Sequence, residues 1–386
     1  MILLTGGTGF LGAHIAADLL GSGERIVLLA RSRRGVSAAD RVGRLLDWLG
    51  VPAGSRGNVE VAEGCLDQPG FGLEPGPAEL TDGGISEIIH CASNTSFAER
   101  RRAELEAVNL GGLERILDLA ERSGCRRFHL VSTAYVAGLT SGDCAEKLVS
   151  PTIFTNIYEE TKCRAEWIAV ERCSKAGIRL SIYRPSIVYG HSETGRSLLF
   201  NALYYPVRTA LFLKDLCEKD IRESGGKKAA EMGVRIEADG WTVMPIRIRA
   251  GDEGGLNIIP IDFFVRAFRA IREDAADGGI FHIVNGRPTR IEDIIAYGQT
   301  LFHIRGFSAC PAQELEGEPR NSLEKVYETY LEAYGPYIRD RRIFGTERAD
   351  LVLERRGIRC PELTYDIFKR CMEYGVQCGW GSRLFI

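Results

Sequence analysis

The chain has 386 residues, which is enough for two lobes or for one large domain with an extension. Its 45% hydrophobic and 26% charged residues are typical of a globular protein and exclude a disordered, collagenous or coiled-coil chain. The 49 Lys and Arg residues against 52 Asp and Glu residues give a net charge of -3, so no basic surplus points to nucleic acid or to an anionic membrane.

The cysteine pattern and the N-terminal residues predict the cellular compartment of the protein. Eleven cysteines are scattered along the chain without a Cys-x-x-Cys motif and without histidines at zinc-ligand spacing, so we expect no metal site. No apolar run approaches the about 18 residues that a membrane span needs. Met1 leads directly into an apolar run and a glycine turn, which leaves no room for a secretory leader. We therefore expect reduced thiols and a cytoplasmic protein.

Residues 1–190 alternate short apolar runs with longer amphipathic stretches, the pattern of a parallel sheet covered by helices. The apolar runs predict strands at 1–4, 26–30, 59–63, 87–90, 127–132 and 178–184. Helical spacing of apolar residues predicts helices at 11–20, 37–49, 101–123 and 158–176. Six strands in this order predict an α/β fold with a doubly wound, Rossmann-type parallel sheet.

Residues 191–386 have a different sequence pattern. It predicts a smaller α/β substrate lobe with a helical C-terminal tail, interleaved in part with the first domain. A helical stretch at 198–222 is followed by a Gly/Lys-rich break at 225–228. We then predict an edge strand at 241–248, a glycine-bearing turn, a strand-to-helix unit at 256–271 and a strand at 279–284. Helices are expected from there to the C-terminus.

A glycine motif follows the first predicted strand and opens the first predicted helix. Gly6 permits a tight turn, Gly9 lets the backbone approach a pyrophosphate, and Gly12 allows close packing of helix on strand. Phosphates would then meet the N-terminal amides of the helix. The position between strand and helix makes this spacing a prediction of a dinucleotide site.

The end of the second strand indicates which dinucleotide binds. A site for NAD would offer an acidic residue to the ribose about 20 residues after the glycines, whereas this strand ends in Ala30-Arg31-Ser32-Arg33. A guanidinium binds a 2′-phosphate through two parallel hydrogen bonds, so NADPH is the predicted cofactor. Arg41 could supply a second cation, although a solvated helix face also explains Arg33 and Arg41.

Tyr158 and Lys162 lie four residues apart and therefore on one helix face. A nearby ammonium would lower the pKa of the phenol, so that it could transfer protons near neutrality. Ser132 and Thr133 end the preceding strand, where a hydroxyl can bind a reacting carbonyl. The turn RPSIVYG at 184–190 follows at the expected nicotinamide end. We interpret these features together as a catalytic site.

With these motifs the chain resembles the extended short-chain dehydrogenase/reductases, and more narrowly thioester reductase domains and fatty acyl-coenzyme A reductases. The narrower likeness rests on Arg31 and Arg41, and on GCLDQPGFGL at 64–73, IIHCAS at 88–93, NLGG at 109–112, STAYVAG at 132–138, NIYEETKCRAE at 156–166 and NIIPIDFF at 257–264. One departure is Gly64-Cys65, where the family has Gly-Asp near the adenine and this chain offers an acid only at Asp67.

The resemblance implies a catalytic set of Thr133, Tyr158 and Lys162, with Thr133 chosen over Ser132 because it lies five residues before Gly138. It implies contacts of Arg31 and Arg41 with the 2′-phosphate of NADPH. The implied cofactor-binding residues are Thr5, Gly6, Thr8, Gly9, Phe10, Leu11, Gly12, Arg31, Arg41, Asp67, Cys91, Ala92, Ser93, Asn109, Tyr158, Lys162, Pro185, Ser186 and Ile187.

The implied function is NADPH-dependent reduction of an acyl thioester, on coenzyme A or on an acyl or peptidyl carrier protein, to the aldehyde, with a further step to the alcohol left open. NADPH-dependent reduction of a free ketone or aldehyde needs the same residues. A sugar-nucleotide epimerase or dehydratase of the same fold would use NAD, which the arginines oppose, and a dehydratase would carry acids where Ala134-Tyr135 stand. A binding protein without catalysis would have no need of Thr133, Tyr158 and Lys162 together.

Some residues favour structural interpretations. Tyr327, Tyr330 and Tyr334 fall at helical spacing and are interpreted as core packing rather than as an acyl channel. The run at 100–102 is interpreted as a solvated helix start rather than a phosphopantetheine site. His90 is expected to be a hydrogen-bonded core residue.

Overall fold

A computed structural model describes residues 1–73, 84–250, 255–311 and 313–384. The strands are β1 (Ile2–Thr5), β2 (Ile26–Ala30), β3 (Val59–Glu63), β4 (Glu87–His90), β5 (Arg127–Val131), β6 (Gly142–Cys144), β7 (Arg179–Pro185), β8 (Ile187–Tyr189), β9 (Arg235–Ile236), β10 (Thr242–Ala250), β11 (Ile258–Pro260), β12 (Gly279–Ile283), β13 (Ile304–Pro311) and β14 (Arg342–Phe344).

The helices alternate with the strands through the first domain and cluster in the second half. They are α1 (Phe10–Gly21), α2 (Ala38–Leu49), α3 (Arg102–Glu106), α4 (Gly112–Arg122), α5 (Ile157–Ala176), α6 (Tyr204–Glu223), α7 (Lys227–Glu231), α8 (Ile261–Asp274), α9 (Ile291–Phe302), α10 (Ser322–Leu331), α11 (Gly335–Ile338), α12 (Glu347–Leu353) and α13 (Tyr365–Gln377). A π-helical turn, Ala107–Gly111, joins α3 to α4.

A seven-stranded parallel sheet of order β3-β2-β1-β4-β5-β7-β12 forms the centre of the molecule. Successive side chains of a strand point to opposite faces, so the central strands contribute to two cores. Helices α1, α2, α8 and α12 cover one face, where Leu4 and Leu28 are buried. Helices α4 and α5 cover the other face, where Leu3 and Val27 are buried. The predicted α/β fold with a doubly wound parallel sheet is confirmed.

The predicted strands and helices of the first domain are confirmed to within a residue or two at their ends, except at 101–123. That stretch was predicted as one helix, and the structure interrupts it with the π turn. Although π turns are rare in proteins, those that occur are often found at functional sites, so this interruption marks a candidate site. The strand predicted at 279–284 is β12, which pairs with β7 at the edge of the main sheet.

The prediction of an entirely helical C-terminal tail is wrong. Strand β13 pairs in parallel with β10, and β14 pairs with β6. In β13 a glycine, Gly306, interrupts the pattern, and neither apolar alternation nor a β-branched run marks the strand. The predicted turn after β10 falls mostly on residues outside the described part of the chain.

The second half builds a smaller sheet, β9-β10-β13, packed against α6, α9 and α10. Gly225 and Gly226 have φ angles of 76° and 73°, so the predicted Gly-rich break ends α6, and Lys227 already begins α7. All eleven cysteines are free thiols. Within the described ranges, no helix has both the length and the hydrophobicity that crossing a membrane requires.

Candidate active site

The glycine motif lies where the strand order of the main sheet reverses, between β1 and β4. Ligands of open α/β sheets bind in the crevice at this point. Gly6 has a φ of 74°, and a Cβ added there would lie 2.5 Å from the backbone nitrogen of Ala92. The N–H of Gly9 donates to the carbonyl of Gly6 over 2.8 Å and closes the turn. A Cβ on Gly12 would collide with that same carbonyl.

The start of α1 is built to accept an anion. Gly9 occupies the N-cap without a side chain to bond the first-turn amides. An anion placed here would meet first-turn N–H groups and the positive end of the helix dipole. Thr8, Phe10 and Leu11 are half-buried around this turn. Their placement agrees with the phosphate site that the sequence predicts.

Thr5 joins β1 to the end of β4 through hydrogen bonds of its hydroxyl. Its hydroxyl is hydrogen-bonded to Nδ1 of His90 over 2.9 Å and accepts a hydrogen bond from the N–H of Ala92 over 3.3 Å. Burial, together with the charge of Lys162, lowers the pKa of His90 to about 3, so the imidazole is neutral. The expectation that His90 is a hydrogen-bonded core residue is confirmed.

The arginines after β2 converge. Arg41 donates to the carbonyl of Arg31 over 2.5 Å, and Arg33 is bonded to Val36 across a tight turn. Burial and the charges of Arg33 and Arg31 lower the pKa of Arg41. Mutual repulsion of this kind is relieved by an anion, and a phosphate monoester matches guanidinium geometry.

Asp67 lies beyond the end of β3, two strands away from β1. The turn that carries it is closed by hydrogen bonds from the N–H of Cys65 to the carbonyl of Phe71 (2.8 Å) and from the N–H of Gln68 to the carbonyl of Cys65 (3.2 Å). A Cβ on Gly64 would lie 2.7 Å from the same carbonyl of Phe71, so the glycine is needed for the turn. Asp67 is exposed in this turn.

Ser132 and Thr133 have different partners at the end of β5. Ser132 donates to the carboxylate of Glu166 over 2.5 Å, beneath the site. Thr133 begins the short turn Ala134–Ala137, and its Oγ1 accepts from the N–H of Tyr135 over 3.3 Å. Because an accepting hydroxyl keeps its own proton to donate, Thr133 suits a substrate carbonyl better than Ser132.

Tyr158 stands in the first turn of α5, which Asn156 caps by accepting from the N–H of Glu159. Burial raises the pKa of Tyr158 above its usual value, with Cys91 and Glu159 as further causes. The expectation that Lys162 lowers this pKa is therefore wrong. The physical reason is desolvation, which outweighs a cation that is bonded elsewhere.

Lys162 is buried one helical turn after Tyr158 and donates to the carbonyl of Val131 over 2.6 Å. Burial lowers its pKa to about 8, against the opposing charges of Cys91 and Glu166. The side chain is therefore a buried cation close to its titration point, and nearby anionic or hydroxyl groups of a ligand would stabilise its charged form.

Asn109 lies in the π turn and ties the loop after β4 to α5. Its Oδ1 accepts from the hydroxyl of Ser93 (3.1 Å) and from the N–H of Asn94 (2.7 Å). Its amide donates to the hydroxyl of Thr161 over 3.0 Å. Asn109 thus positions the segment 91–94 against the helix of Tyr158, and its own polar groups are used in doing so.

The predicted nicotinamide end includes Pro185, Ser186 and Ile187. The N–H of Ser186 donates to the carbonyl of Ile283 over 3.1 Å, and that of Ile187 donates to the carbonyl of Asn257 over 3.3 Å. The hydroxyl of Ser186 is buried and has no hydrogen-bond partner in the described part of the chain. Buried hydroxyls are seldom left unpaired, so this group fits contact with a ligand.

Aromatic residues that the sequence did not assign to the site surround Tyr158. The ring of Phe97 lies 6.3 Å from Tyr158 and 5.9 Å from Tyr337. Tyr337 donates to the buried carboxylate of Glu159 over 2.6 Å. Tyr334 is half-buried, and its ring lies 6.2 Å from Phe97.

The other two tyrosines of that group differ from each other. Tyr327 is buried and donates to the carbonyl of Pro206, as expected for core packing. Tyr330 is 45% exposed, so core packing is wrong for it. Arg101 and Arg102 form ion pairs with Glu104 and Glu99, which agrees with a solvated helix start.

The model of the male sterility protein family matches residues 4–268. The chain belongs to this family. The matched model is that of an NAD(P)-binding domain, and the chain has the extended short-chain dehydrogenase/reductase fold.

Curated relatives of this male sterility family member are large synthetases and reductases. The glycine betaine reductase ATRR of Emericella nidulans is 27% identical over 317 residues, which are 78% of this chain and 22% of that protein. A linear gramicidin synthase component of Brevibacillus parabrevis is 24% identical over 398 residues, which are 98% of this chain and 7% of that protein. The chain thus spans about a fifth or less of the length of these relatives.

Solved structures share the fold. The terminal R domain of the myxalamid PKS-NRPS pathway has a TM-score of 0.74 at 22% identity, and the match covers 98% of this chain and 90% of that one. UDP-glucuronic acid 4-epimerase from Bacillus cereus, in complex with NAD, has a TM-score of 0.63 at 16% identity, with coverage of 99% and 98%. The epimerase thus binds NAD on the same fold.

The described residues of this family member fit a dinucleotide. The crowding of Gly6 against Ala92 leaves room only for backbone, which lets a pyrophosphate approach. The uncapped start of α1 offers amides to the phosphates. The cluster of Arg31, Arg33 and Arg41 offers cations to a further phosphate.

Proposed function

We propose that this protein is an NADPH-dependent reductase that converts an acyl thioester to an aldehyde. The observation that carries the proposal is a free hydroxyl, a protonated phenol and a buried ammonium at one edge of the sheet, on Thr133, Tyr158 and Lys162. This edge also carries the glycine motif. The thioester is carried by coenzyme A or by a carrier protein.

Each side chain has a separate role. NADPH, when bound, supplies the hydride that the carbonyl carbon accepts. Thr133 and Tyr158 donate hydrogen bonds to the carbonyl oxygen, where negative charge develops. Because burial keeps Tyr158 protonated, its proton is available to the new oxyanion. Lys162 holds the cofactor ribose through its ammonium.

The bonds and protons balance as in other acyl reductions. The carbonyl carbon gains a hydride, its oxygen gains a proton, and a hemithioacetal results. The carbon–sulfur bond then breaks as the oxygen loses that proton, and the sulfur leaves as a thiol. One NADPH and one proton are consumed for each aldehyde and thiol, and a second NADPH is needed if the alcohol is formed.

The arginines after β2 support NADPH over NADH. Burial, and then the charges of Arg33 and Arg31, lower the pKa of Arg41. A 2′-phosphate would neutralise this repulsion, whereas the free ribose of NADH would not. The same arginines oppose an NAD-dependent epimerase, although epimerases share the fold.

The test measures NADPH absorbance and thiol release together for a panel of acyl-coenzyme A and acyl-phosphopantetheine thioesters. We expect both signals, in a ratio of one NADPH to one thiol for the aldehyde and two to one for the alcohol. Tyr158→Phe should abolish both, and Tyr297→Phe, in α9 and outside the site, should change neither. NADPH oxidation with free aldehydes or ketones, without thiol release from any thioester, would contradict the proposal.

A further inference from the structure

One peptide unit at the end of β5 is held from three sides. The carbonyl of Val131 accepts from the ammonium of Lys162 over 2.6 Å. The N–H of Ser132 donates to a carbonyl of β7 over 2.7 Å, and the hydroxyl of Ser132 donates to Glu166 over 2.5 Å. Thr133 follows directly in the chain, so the position of its hydroxyl depends on these three hydrogen bonds.

Glu166 and Arg184 form an ion pair beneath this peptide unit. The carboxylate of Glu166 accepts from Nη2 of Arg184 over 2.6 Å and from Nε over 2.9 Å. Only 1% of each side chain is exposed. A contact through two hydrogen bonds fixes the orientation of both groups as well as their distance. The carboxylate that holds the hydroxyl of Ser132 is therefore itself held in place.

The guanidinium is held in turn by a histidine of β12. Nη1 of Arg184 lies 3.3 Å from Nε2 of His282, whose Nδ1 lies 2.7 Å from the carbonyl of Gly345. Because a carbonyl only accepts, Nδ1 of His282 carries the proton and Nε2 accepts from Arg184. Burial and the charge of Arg184 lower the pKa of His282 to about 4, so the ring is neutral near pH 7. The ring thus orients the guanidinium without adding a charge.

Glu166 also supplies a charge to the site. Four described titratable side chains surround Lys162: Tyr158 and Glu166, one turn before and after it on α5, and His90 and Cys91 at the end of β4. Burial lowers the pKa of His90 to about 3 and raises the pKa values of Cys91 and Tyr158, so these three are uncharged between pH 6 and pH 9. Among the four, the negative charge that faces Lys162 is therefore that of Glu166.

We propose that Glu166 is a positioning residue of the candidate site. Its carboxylate holds Ser132, and thereby the hydroxyl of Thr133, and it supplies the negative charge that faces the ammonium of Lys162. Arg184 keeps the carboxylate oriented for both tasks. This inference deepens the proposed function and rests on it for the turnover assay, whereas the binding assay needs only a bound dinucleotide.

The binding assay measures the charge of Lys162. Kd for NADPH, and for NADH in parallel, is determined by fluorescence titration from pH 6 to pH 9, and the pH at which Kd rises reports the loss of the ammonium. Glu166→Gln should move this rise down by about one pH unit, because a facing negative charge is lost. Arg184→Met should move the rise up, because Arg184 no longer offsets the charge of the carboxylate.

Both substitutions break the same ion pair, so a purely structural role predicts changes in the same direction at every pH. Glu87→Gln is the matched control, because it breaks a buried pair with Arg272 at the other end of the sheet. It should lower the free energy of unfolding and leave the pH of the rise unchanged. Equal profiles for Glu166→Gln and Arg184→Met would overturn the inference.

A double variant keeps the test valid if a single variant does not fold. Glu166→Gln combined with Arg184→Met leaves neither charge of the pair buried, and replacing a whole buried pair is tolerated better than breaking it. The rise in Kd should still move down, by less than in Glu166→Gln alone. An unchanged profile in the double variant would also overturn the inference.

The turnover assay tests the support of Thr133. Ser132→Ala should lower kcat about tenfold with little change in KM, since Thr133 is kept but less precisely placed. Ser132→Thr keeps a hydroxyl and should restore most of that loss. Thr133→Ala should lower kcat about 10² to 10³-fold, because a donor to the developing charge is lost. Equal losses in Ser132→Ala and Thr133→Ala would make Ser132 a catalytic residue and contradict its supporting role.

The outcomes separate this inference from the proposed function. If no thioester is reduced but the two single variants move the rise in Kd in opposite directions, the proposed reaction fails and the role of Glu166 at Lys162 stands. If thioesters are reduced but Kd rises at the same pH in the unsubstituted protein and in both variants, the proposed reaction stands and Glu166 is only a part of the core.

Discussion

Glu87 and Lys162 are buried charges at opposite ends of the main sheet, and they have different partners. At the amino end, Glu87 opens β4 and pairs with Arg272, with Arg127 at 2.5 Å and with His129 at 3.0 Å. At the carboxyl end, Lys162 donates a hydrogen bond to the uncharged carbonyl of Val131. Glu87 thus has three charged or titratable partners, whereas the hydrogen-bonded partner of Lys162 is a carbonyl.

The pKa values follow this difference. Although burial favours the neutral acid, His129 and Arg272 lower the pKa of Glu87 to about 2. At Lys162 burial prevails and lowers the pKa to about 8. A buried charge with opposite charges beside it contributes to the fold. A buried charge without them is stabilised when a ligand supplies the missing partner. If stability and chemistry are separated between these two ends, substitutions at the amino end should lower stability and those at the carboxyl end should lower activity.

Tyr158→Phe should have the largest effect. Loss of a positioned proton donor lowers kcat by about 10² to 10⁴-fold. The free energy of unfolding should change little, because the ring and its contact with Phe97 are kept. Turnover and thermal unfolding are measured on the same preparation. A loss of activity below tenfold would exclude Tyr158 as the proton donor.

Glu87→Ala should show the reverse pattern. It leaves the buried Arg272 with Glu24, 42% exposed, as its remaining acidic partner, and the loss of the buried partner costs about 3 to 5 kcal/mol in the free energy of unfolding. Urea unfolding measures this loss, with Glu171→Ala as the control because Glu171 forms an exposed ion pair with Lys175. Equal effects of the two substitutions would mean that the amino end is not the stabilising end.

Arg31→Ser and Arg41→Ser should each weaken NADPH binding about 10 to 100-fold, since each removes charged hydrogen bonds to the 2′-phosphate. NADH binding should stay as it is, because NADH lacks that phosphate. Arg44→Ser, on the exposed side of α2, is the matched control. Cofactor fluorescence titration gives the Kd values, and parallel losses for NADH and NADPH would contradict the assignment.

The pH dependence of NADPH binding should be the smallest effect. The ammonium of Lys162 is lost as pH rises through about 8 in the free protein, so Kd should rise about tenfold between pH 7 and pH 9. Tyr158→Phe should keep this alkaline rise, because Tyr158 remains protonated there. Lys162→Met should remove it. A rise that survives in Lys162→Met would assign the titration to another group.

The sequence predicted the main sheet because its strands are short apolar runs separated by amphipathic helices. It also predicted the glycine motif between β1 and α1 and the pair of arginines, Arg31 and Arg41, after β2. Both features come shortly after the end of a strand in the sequence. These features are local in the chain, and local patterns mark them.

The remaining features depend on contacts between distant segments. Phe97 meets Tyr334 and Tyr337 from far along the chain, and no spacing signals that meeting. The raised pKa of Tyr158 follows from its burial, so the motif with Lys162 alone gave the wrong direction. Strand β13 was missed because its exposed residues do not alternate with apolar ones.

The most direct test of the account is the fate of the transferred hydrogen. The protein is mixed with octanoyl-coenzyme A and NADPH that carries deuterium at the transferred position, and the products are analysed by mass spectrometry. The account predicts one deuterium on the carbonyl carbon of octanal, or two on the corresponding carbon of octanol, with free coenzyme A in equal amount to the product. Release of coenzyme A as unlabelled octanoate, or no release at all from any thioester, would contradict it.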